Sequence, residues 1–167
     1  MKVEGIQDNY LGCEILKDSK GFSIGQERIV NDLKNRFEKI LLGREFKTPS
    51  PNGYTVQRPN LETDSLIGEN LQEKFRSGVG SFLYLVKHSR PDIANSVQEL
   101  SKVMDGALEE HWKKLFRCVK YVELTKKIKL KIHPRNHTKW KIKVFSDSDY
   151  CGDKETCRSV SGYVIFV

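Results

Sequence analysis

FRSGVGSFLYLVKHSRPDIANSVQELSKVMDGALEEHWKKLFRCVKYVE, residues 75–123, reads as three helices in close order and decides the fold class. Val79, Phe82, Leu83 and Val86 recur at helical spacing, and so do Ile93, Val97, Leu100 and Met104. Pro91 suits the first turn of the second helix and Asp105-Gly106 its end, because proline lacks a donor that a first turn does not need and glycine tolerates left-handed dihedrals. A third helix starts near Leu108, where Glu109 and Glu110 complement the positive end of its dipole. Trp112, Leu115, Phe116, Val119 and Val122 form its apolar stripe, while Lys113, Arg117 and Lys120 fall at i, i+4 and i+7 on another face. Stripes of this kind must bury one another, so the stretch predicts a small helical bundle.

Towards the N-terminus, Leu11, Cys13 and Ile15 alternate with polar or small residues, and Asp18-Ser19-Lys20-Gly21 supplies a turn before Phe22-Ser23-Ile24, a hairpin pattern. From Gln26, the spacing of Ile29, Leu33, Phe37 and Ile40 predicts an amphipathic helix to about Leu42, with Gly43 as its stop. Pro49, Pro51, Pro59 and Asn52-Gly53 then mark an irregular connection, expected to be extended and mobile. Towards the C-terminus, Leu130 and Ile132 alternate with lysines as a short strand, followed by a polar linker and a terminal hairpin. The fold class is α+β, divided as 1–42 (hairpin and helix), 43–70 (irregular connection), 71–133 (helical), 134–141 (linker) and 142–167 (hairpin).

The chain has 167 residues and a formal net charge of +7. The charge is concentrated: Lys113 to Lys143 holds twelve Lys or Arg residues against one acid, Glu123, a local charge of +11. A patch of that kind is the footprint of contact with a phosphate backbone, and a solvated lysine-rich face stands as its equal alternative. The absence of a long apolar run or an apolar leader leads to the expectation of an intracellular protein, cytoplasmic or nuclear, with no membrane partner. Cys13, Cys118, Cys151 and Cys157 form no C-x-x-C pair and are expected to be reduced. His133 and His137, in H-P-R-N-H, lack a cysteine pair and read as linker residues rather than metal ligands. Arg90 and Asp92 read as architectural, and Trp112 and Trp140 as core or interface aromatics.

In KIKVFSDSDYCGD, period-two alternation puts Lys143, Phe145, Asp147 and Asp149 on one face of an extended strand. Paired carboxylates are the ligand type that Mg²⁺ uses in phosphoryl transfer, but two acids alone rarely suffice.

The words V-G-S-x-x-Y-L, R-P-D-I-A, E-E-H-W-K and the R-x-x-x-Y of Arg117 to Tyr121, in that order, resemble the polymerase of copia-type retrotransposons in the region after its catalytic palm. YLGCEILKD and GFSIGQERIVNDLKNRF, with Gly12 and Gln26, are similar to the late palm strands and adjoining helix. FSDSDYCGDKETCRSVSGYV resembles the opening hairpin of that family's ribonuclease H domain, with Tyr150, Cys151 and Val160 in place of the usual Trp, Ala and Thr.

The resemblance implies a palm-edge hairpin and helix, a helical thumb and connection, and a truncated ribonuclease H-like start. It implies that Asp147 matches the first metal-binding carboxylate of ribonuclease H and Asp149 a second recurrent acid, for which turn capping is an equal alternative. It implies that Lys113, Arg117 and Lys120 contact the phosphates of an RNA/DNA template-primer duplex, and that Tyr10, Leu11 and Gly12 lie near a primer-holding hairpin, with strand packing the preferred role for Leu11. The polymerase aspartate pair and later ribonuclease H acids are not in this sequence. The expectation is therefore a piece of an RNA-directed DNA polymerase and ribonuclease H that holds the duplex without catalysing alone, with the rest of the polyprotein as partner. Mg²⁺ is expected for the full-length enzyme and no tightly bound cofactor for this piece. The alternatives are a non-enzymatic nucleic-acid-binding transposon remnant and a helical interaction module. A hairpin with Val164, Ile165 and Phe166 uncovered also leads to an expectation of poor solubility.

Overall fold

The computed structural model describes residues 9–37, 45–133, 141–153 and 155–166. The chain divides into two compact units, Met1–His133 and Pro134–Val167.

The first unit opens with strand β1 (Asn9–Tyr10), which turns through Leu11-Gly12 into β2 (Cys13–Asp18). Both turn residues have positive φ, 50° and 69°, matching the twist of a two-residue hairpin. Glycine adopts it freely and leucine at a steric cost. The alternation that assigns Leu11 to a strand is therefore corrected: Leu11 is the hairpin tip, 60% exposed, and its carbonyl accepts a hydrogen bond from the Tyr84 hydroxyl. Asp18 closes the next turn, its Oδ1 accepting the Lys20 and Gly21 N–H groups at 2.7 and 2.9 Å. The chain returns as β3 (Gly21–Gly25) and enters helix α1 (Glu27–Phe37). The expected continuation of α1 to Leu42 and its stop at Gly43 lie outside the described residues.

Residues 45–68 contain neither helix nor strand. Helix α2 (Glu69–His88) follows, then a 3₁₀ turn (Pro91–Ile93), α3 (Ala94–Ser101) and α4 (Glu109–Leu124). Strand β4 (Leu130–Ile132) then pairs antiparallel with β3, completing a sheet of order β1-β2-β3-β4. The helices are thus bracketed by neighbouring strands of one sheet.

The apolar stripes meet as their spacing requires. Phe75, Val79, Phe82 and Leu85 of α2 pack with Ile93, Val97 and Leu100, and with Trp112, Leu115, Cys118, Val119 and Val122 of α4. Val30, Leu33 and Phe37 of α1 join the same core. Gly78 permits the approach of α2: a Cβ there would lie 3.1 Å from Phe37 Cζ and 3.3 Å from Leu115 Cδ1. Arg36 ties α1 to α2 by donating to Ser77 Oγ and Ser81 Oγ at 2.6 and 2.7 Å. Within the irregular connection, Val56 is buried in this core and its N–H donates to Glu99 Oε2 at 2.8 Å. The Ile67 N–H donates to the Ala107 carbonyl at 2.9 Å.

Arg90, only 2% exposed, joins the α2–α3 connection to the end of α4. Its Nε and Nη2 donate to the two Asp92 oxygens at 2.9 and 2.8 Å, and Nη2 also donates to Thr125 Oγ1 at 2.7 Å. The Tyr121 hydroxyl donates to Asp92 Oδ2 at 3.0 Å. Burial would raise the Asp92 carboxyl, but the hydrogen bonds and charge of Arg90, with Tyr121, hold it below the usual carboxylate range. His111, fully buried in the first turn of α4, accepts the Leu108 N–H at Nδ1, 3.0 Å away. That bond places its proton on Nε2, which lies 3.3 Å from Glu110 Oε1 without hydrogen-bond geometry. Burial lowers the imidazole pKa and outweighs the pull of Glu110.

The second unit is a hairpin of β5 (Lys143–Ser148) and β6 (Ser161–Phe166), in register from Lys143↔Phe166 to Ser148↔Ser161. Every strand residue is exposed, including Val164, Ile165 and Phe166. Among the described residues, no helix is long and apolar enough to cross a membrane.

Gly78→Val is expected to lower stability by about 1–3 kcal/mol through overpacking. Gly80→Ala, with nothing within 4 Å of the new methyl, should raise it by about 0.5–1 kcal/mol; urea unfolding midpoints check both. Because the folded pKa of His111 lies below its unfolded value of about 6.5, the neutral ring's contribution is present above that value and lost as pH falls through the folded pKa. His111→Gln keeps an acceptor at this position and removes the titration. The difference in unfolding free energy between wild type and variant should therefore shrink from pH 7.5 to 5.

Candidate functional site

The buried stripe of α4 fixes which way its cations face. Lys113, on the opposite side, has its side chain 70% exposed and an ion pair to Glu109 at 3.6 Å, an exposed pair that constrains it little. Arg117 is differently placed. Its guanidinium lies 4.7 Å from the Phe46 ring centroid and donates to the Thr48 carbonyl at 3.2 Å and to Thr48 Oγ1 at 2.7 Å. Lys114 Nζ stands 4.8 Å from the Tyr54 ring centroid, and Tyr54 is kept a neutral phenol, its pKa pushed up to about 12 by burial and then by Glu110 and Glu99. Residues 46–54 therefore run along the basic side of α4 as a strap.

Lys120 is only 18% exposed and lies 3.3 Å from Glu123 Oε2, while Lys34 reaches Glu123 Oε1 at 3.0 Å. Burial would raise the Glu123 carboxyl, but these two lysines hold it below the usual range. The three residues singled out by spacing do share a side of α4, with unequal freedom: Lys113 projects, Arg117 holds the strap, and Lys120 is engaged by Glu123. Further along, Lys129 is 3.7 Å from Glu14 Oε2 and 3.5 Å from Glu27 Oε1, fastening β4 rather than facing a ligand.

The two carboxylates of the second unit also differ. Asp147 lies in β5 opposite Gly162 and is exposed. Asp149, one residue beyond the strand, accepts at Oδ1 from the Val160 N–H at 2.6 Å and the Gly152 N–H at 3.3 Å, and its own N–H donates to the Val160 carbonyl at 3.1 Å. Asp149 thus closes the base of the loop. In that loop Cys151 and Cys157 both have positive φ, 57° and 51°, and a hydrogen bond with the Cys157 thiol, followed by burial, raises the Cys151 pKa. A resident Mg²⁺ wants near-octahedral oxygen ligation. One free carboxylate and one committed to a turn do not meet that demand, and no group of three His, Cys, Asp or Glu able to hold a metal occurs among the described residues.

His133 Nδ1 lies 3.2 Å from the Lys20 carbonyl, at the β2–β3 turn. His137 and Trp140 are outside the described residues. Sequence reasoning missed the strap residues Phe46, Thr48 and Tyr54, for which no periodicity exists. Glu123, the single acid in the basic run, was the available signal that part of the patch is neutralised.

Asp149→Ala is expected to speed amide exchange at Val160 and Gly152 and to loosen the hairpin by about 1 kcal/mol. Asp147→Asn should leave both amides unchanged; hydrogen-exchange NMR checks the pair.

The chain is similar over nearly its whole length to retrovirus-related Pol polyproteins from transposons. With that of transposon RE1 from Arabidopsis thaliana it is 28% identical over 160 residues, 95% of this chain and 10% of the relative. With that of transposon TNT 1-94 from Nicotiana tabacum it is 25% identical over 167 residues, 98% and 12%. It is also similar to secreted RxLR effector protein 161 of Plasmopara viticola, 34% identical over 90 residues, 54% of this chain and 62% of that one. The chain thus spans about a tenth of the length of the Pol polyproteins it matches. No family model matches it, and no solved structure matches it significantly.

Proposed function

We propose that this chain is the thumb and connection part of a retrotransposon RNA-directed DNA polymerase, joined to the start of its ribonuclease H domain, and that its role is to hold the template-primer duplex. The carrying observation is the division of α4 into a buried apolar stripe and an outward basic side, which sets cations on a rigid support. Similarity to transposon Pol polyproteins over 95% of the chain supports the same reading. Contacts from such a side go to phosphates and are independent of base sequence, as duplex holding requires. In this reading Lys113 meets the backbone directly, Arg117 does so from its place beside the strap, and Lys120 contributes after release from Glu123. Asp147 stands in the position of a ribonuclease H carboxylate, and the chain's own contribution is holding rather than chemistry.

The remainder of a Pol polyprotein is the partner that this reading assigns to the four-stranded sheet. The register puts Ile15, Phe22, Ile24, Leu130 and Ile132 on one face, and Phe22, Leu130 and Ile132 are 39%, 37% and 45% exposed. That uncovered apolar face is also the observation that favours a helical interaction module. Self-association without nucleic acid, seen as a mass rising with concentration in light scattering, would support that alternative.

The test is binding of an RNA–DNA hybrid followed by fluorescence anisotropy from 50 to 300 mM salt. Affinity should fall steeply with salt, and Lys113→Gln with Arg117→Gln should reduce the slope of log K against log salt by roughly two, near 0.9 per phosphate contact. A flat salt response, or a slope unmoved by the two substitutions, would leave the basic side merely solvated.

A further inference from the structure

The strap over α4 carries the run Lys47-Thr48-Pro49-Ser50-Pro51. Thr48 is exposed, lies in chain without helix or strand, and precedes a proline. Its hydroxyl oxygen is 2.7 Å from Arg117 Nη2 and its carbonyl oxygen 3.2 Å from Arg117 Nε. The guanidinium edge is therefore turned onto this residue, with the Phe46 ring beside it at 4.7 Å. Such an edge matches the geometry of phosphate oxygens, and a phosphothreonine places roughly −1.5 to −2 charges at that spot. Lys47 is the preceding residue and Lys113 lies one turn before Arg117 on the same side of α4, so the surroundings favour an anion. Ser50, the other hydroxyl residue before a proline, is half-buried, and Arg117 donates to Thr48.

We propose that Thr48 is a phosphorylation site for a kinase that selects proline after the acceptor, and that Arg117 receives the phosphate. In the transfer, Thr48 Oγ1 attacks the γ-phosphorus of ATP, the bond from that phosphorus to the β,γ-bridging oxygen breaks, ADP leaves, and the hydroxyl proton passes to the kinase's base. The phosphate then occupies one of the cations assigned to the duplex, so modification weakens duplex holding; this last consequence alone rests on the function proposed above.

The experiment treats the full chain with ATP and a proline-directed kinase, maps the product by mass spectrometry, and titrates the phosphorylated protein by ³¹P NMR. One phosphate on Thr48 is expected, lost in Thr48→Ala and retained in Ser50→Ala. Its second pKa should lie roughly one unit below the ordinary value near 6. Arg117→Gln should return it to the ordinary value, and Arg117→Lys, which keeps the charge but not the fork, should restore only part of the shift. Phosphate on Ser50 alone, no phosphate on the folded chain, or a titration indifferent to Arg117→Gln would overturn the proposal. In the binding arm, phosphorylated chain should bind the RNA–DNA hybrid several-fold more weakly than unmodified chain. If unmodified chain does not bind, the duplex reading fails while the ³¹P result still decides the phosphate site.

Discussion

A guanidinium withdrawn almost wholly from water governs how the helical unit is assembled. Burying a charge is tolerated only when its hydrogen-bonding groups are met and an opposite charge is at hand. Arg90 finds the charge two residues away in Asp92, but it finds Thr125 only if the last turn of α4 comes back to the α2–α3 connection. Tyr121, bonded to the same Asp92, has its ring centroid 5.6 Å from the guanidinium carbon. Removing one partner from such a group costs about 3–5 kcal/mol when burial is complete, a large part of the stability of a unit this size. The clamp fixes the rotation of α4, and that rotation sends Trp112, Leu115 and Val119 inward and Lys113 outward. The basic side is thus a consequence of how the core closes.

The helices were legible in the sequence because each must bury a stripe and the stripes recur at helical spacing. Arg90 and Asp92 were legible as architecture for a related reason: an acid in a first helical turn already has a structural purpose. What stayed hidden depends on partners distant along the chain. Nothing local in Leu130-Lys131-Ile132 says that it will pair with Phe22-Ser23-Ile24. Leu11 misleads because period-two alternation cannot tell a strand residue from the tip of a tight turn, and the decisive sign was the adjacent Gly12. The strap was invisible because Phe46, Thr48 and Tyr54 belong to a segment whose prolines and glycine signal only irregularity.

The candidate site was half legible for comparable reasons. Helical spacing puts Lys113, Arg117 and Lys120 on one side of α4, but it does not show that Lys120 meets Glu123 three residues on, or that Lys34 comes from another helix to share that carboxylate. Strand alternation likewise puts Asp147 and Asp149 on one face, but Asp149 falls one residue past the ladder, where the Val160 N–H claims its oxygen. The result is an unequal pair of sites. The cations of α4 stand on a packed core, whereas the carboxylates stand on or beside an exposed two-stranded hairpin, so the electrostatic site is the one backed by buried apolar packing. Similarity to transposon Pol polyproteins spans both units without making the carboxylates a finished centre.

On the function proposed above, the strap-bearing side of α4 is the surface that meets nucleic acid. Hydrogen-exchange mass spectrometry of the chain with and without an RNA–DNA hybrid locates the contact surface. Protection on adding the hybrid is expected in peptides covering 45–54 and 113–124, where Phe46, Thr48, Lys113 and Arg117 lie, with little change across 75–100. Protection confined to the β5–β6 hairpin, or no change at any peptide under low-salt saturating conditions, would contradict it.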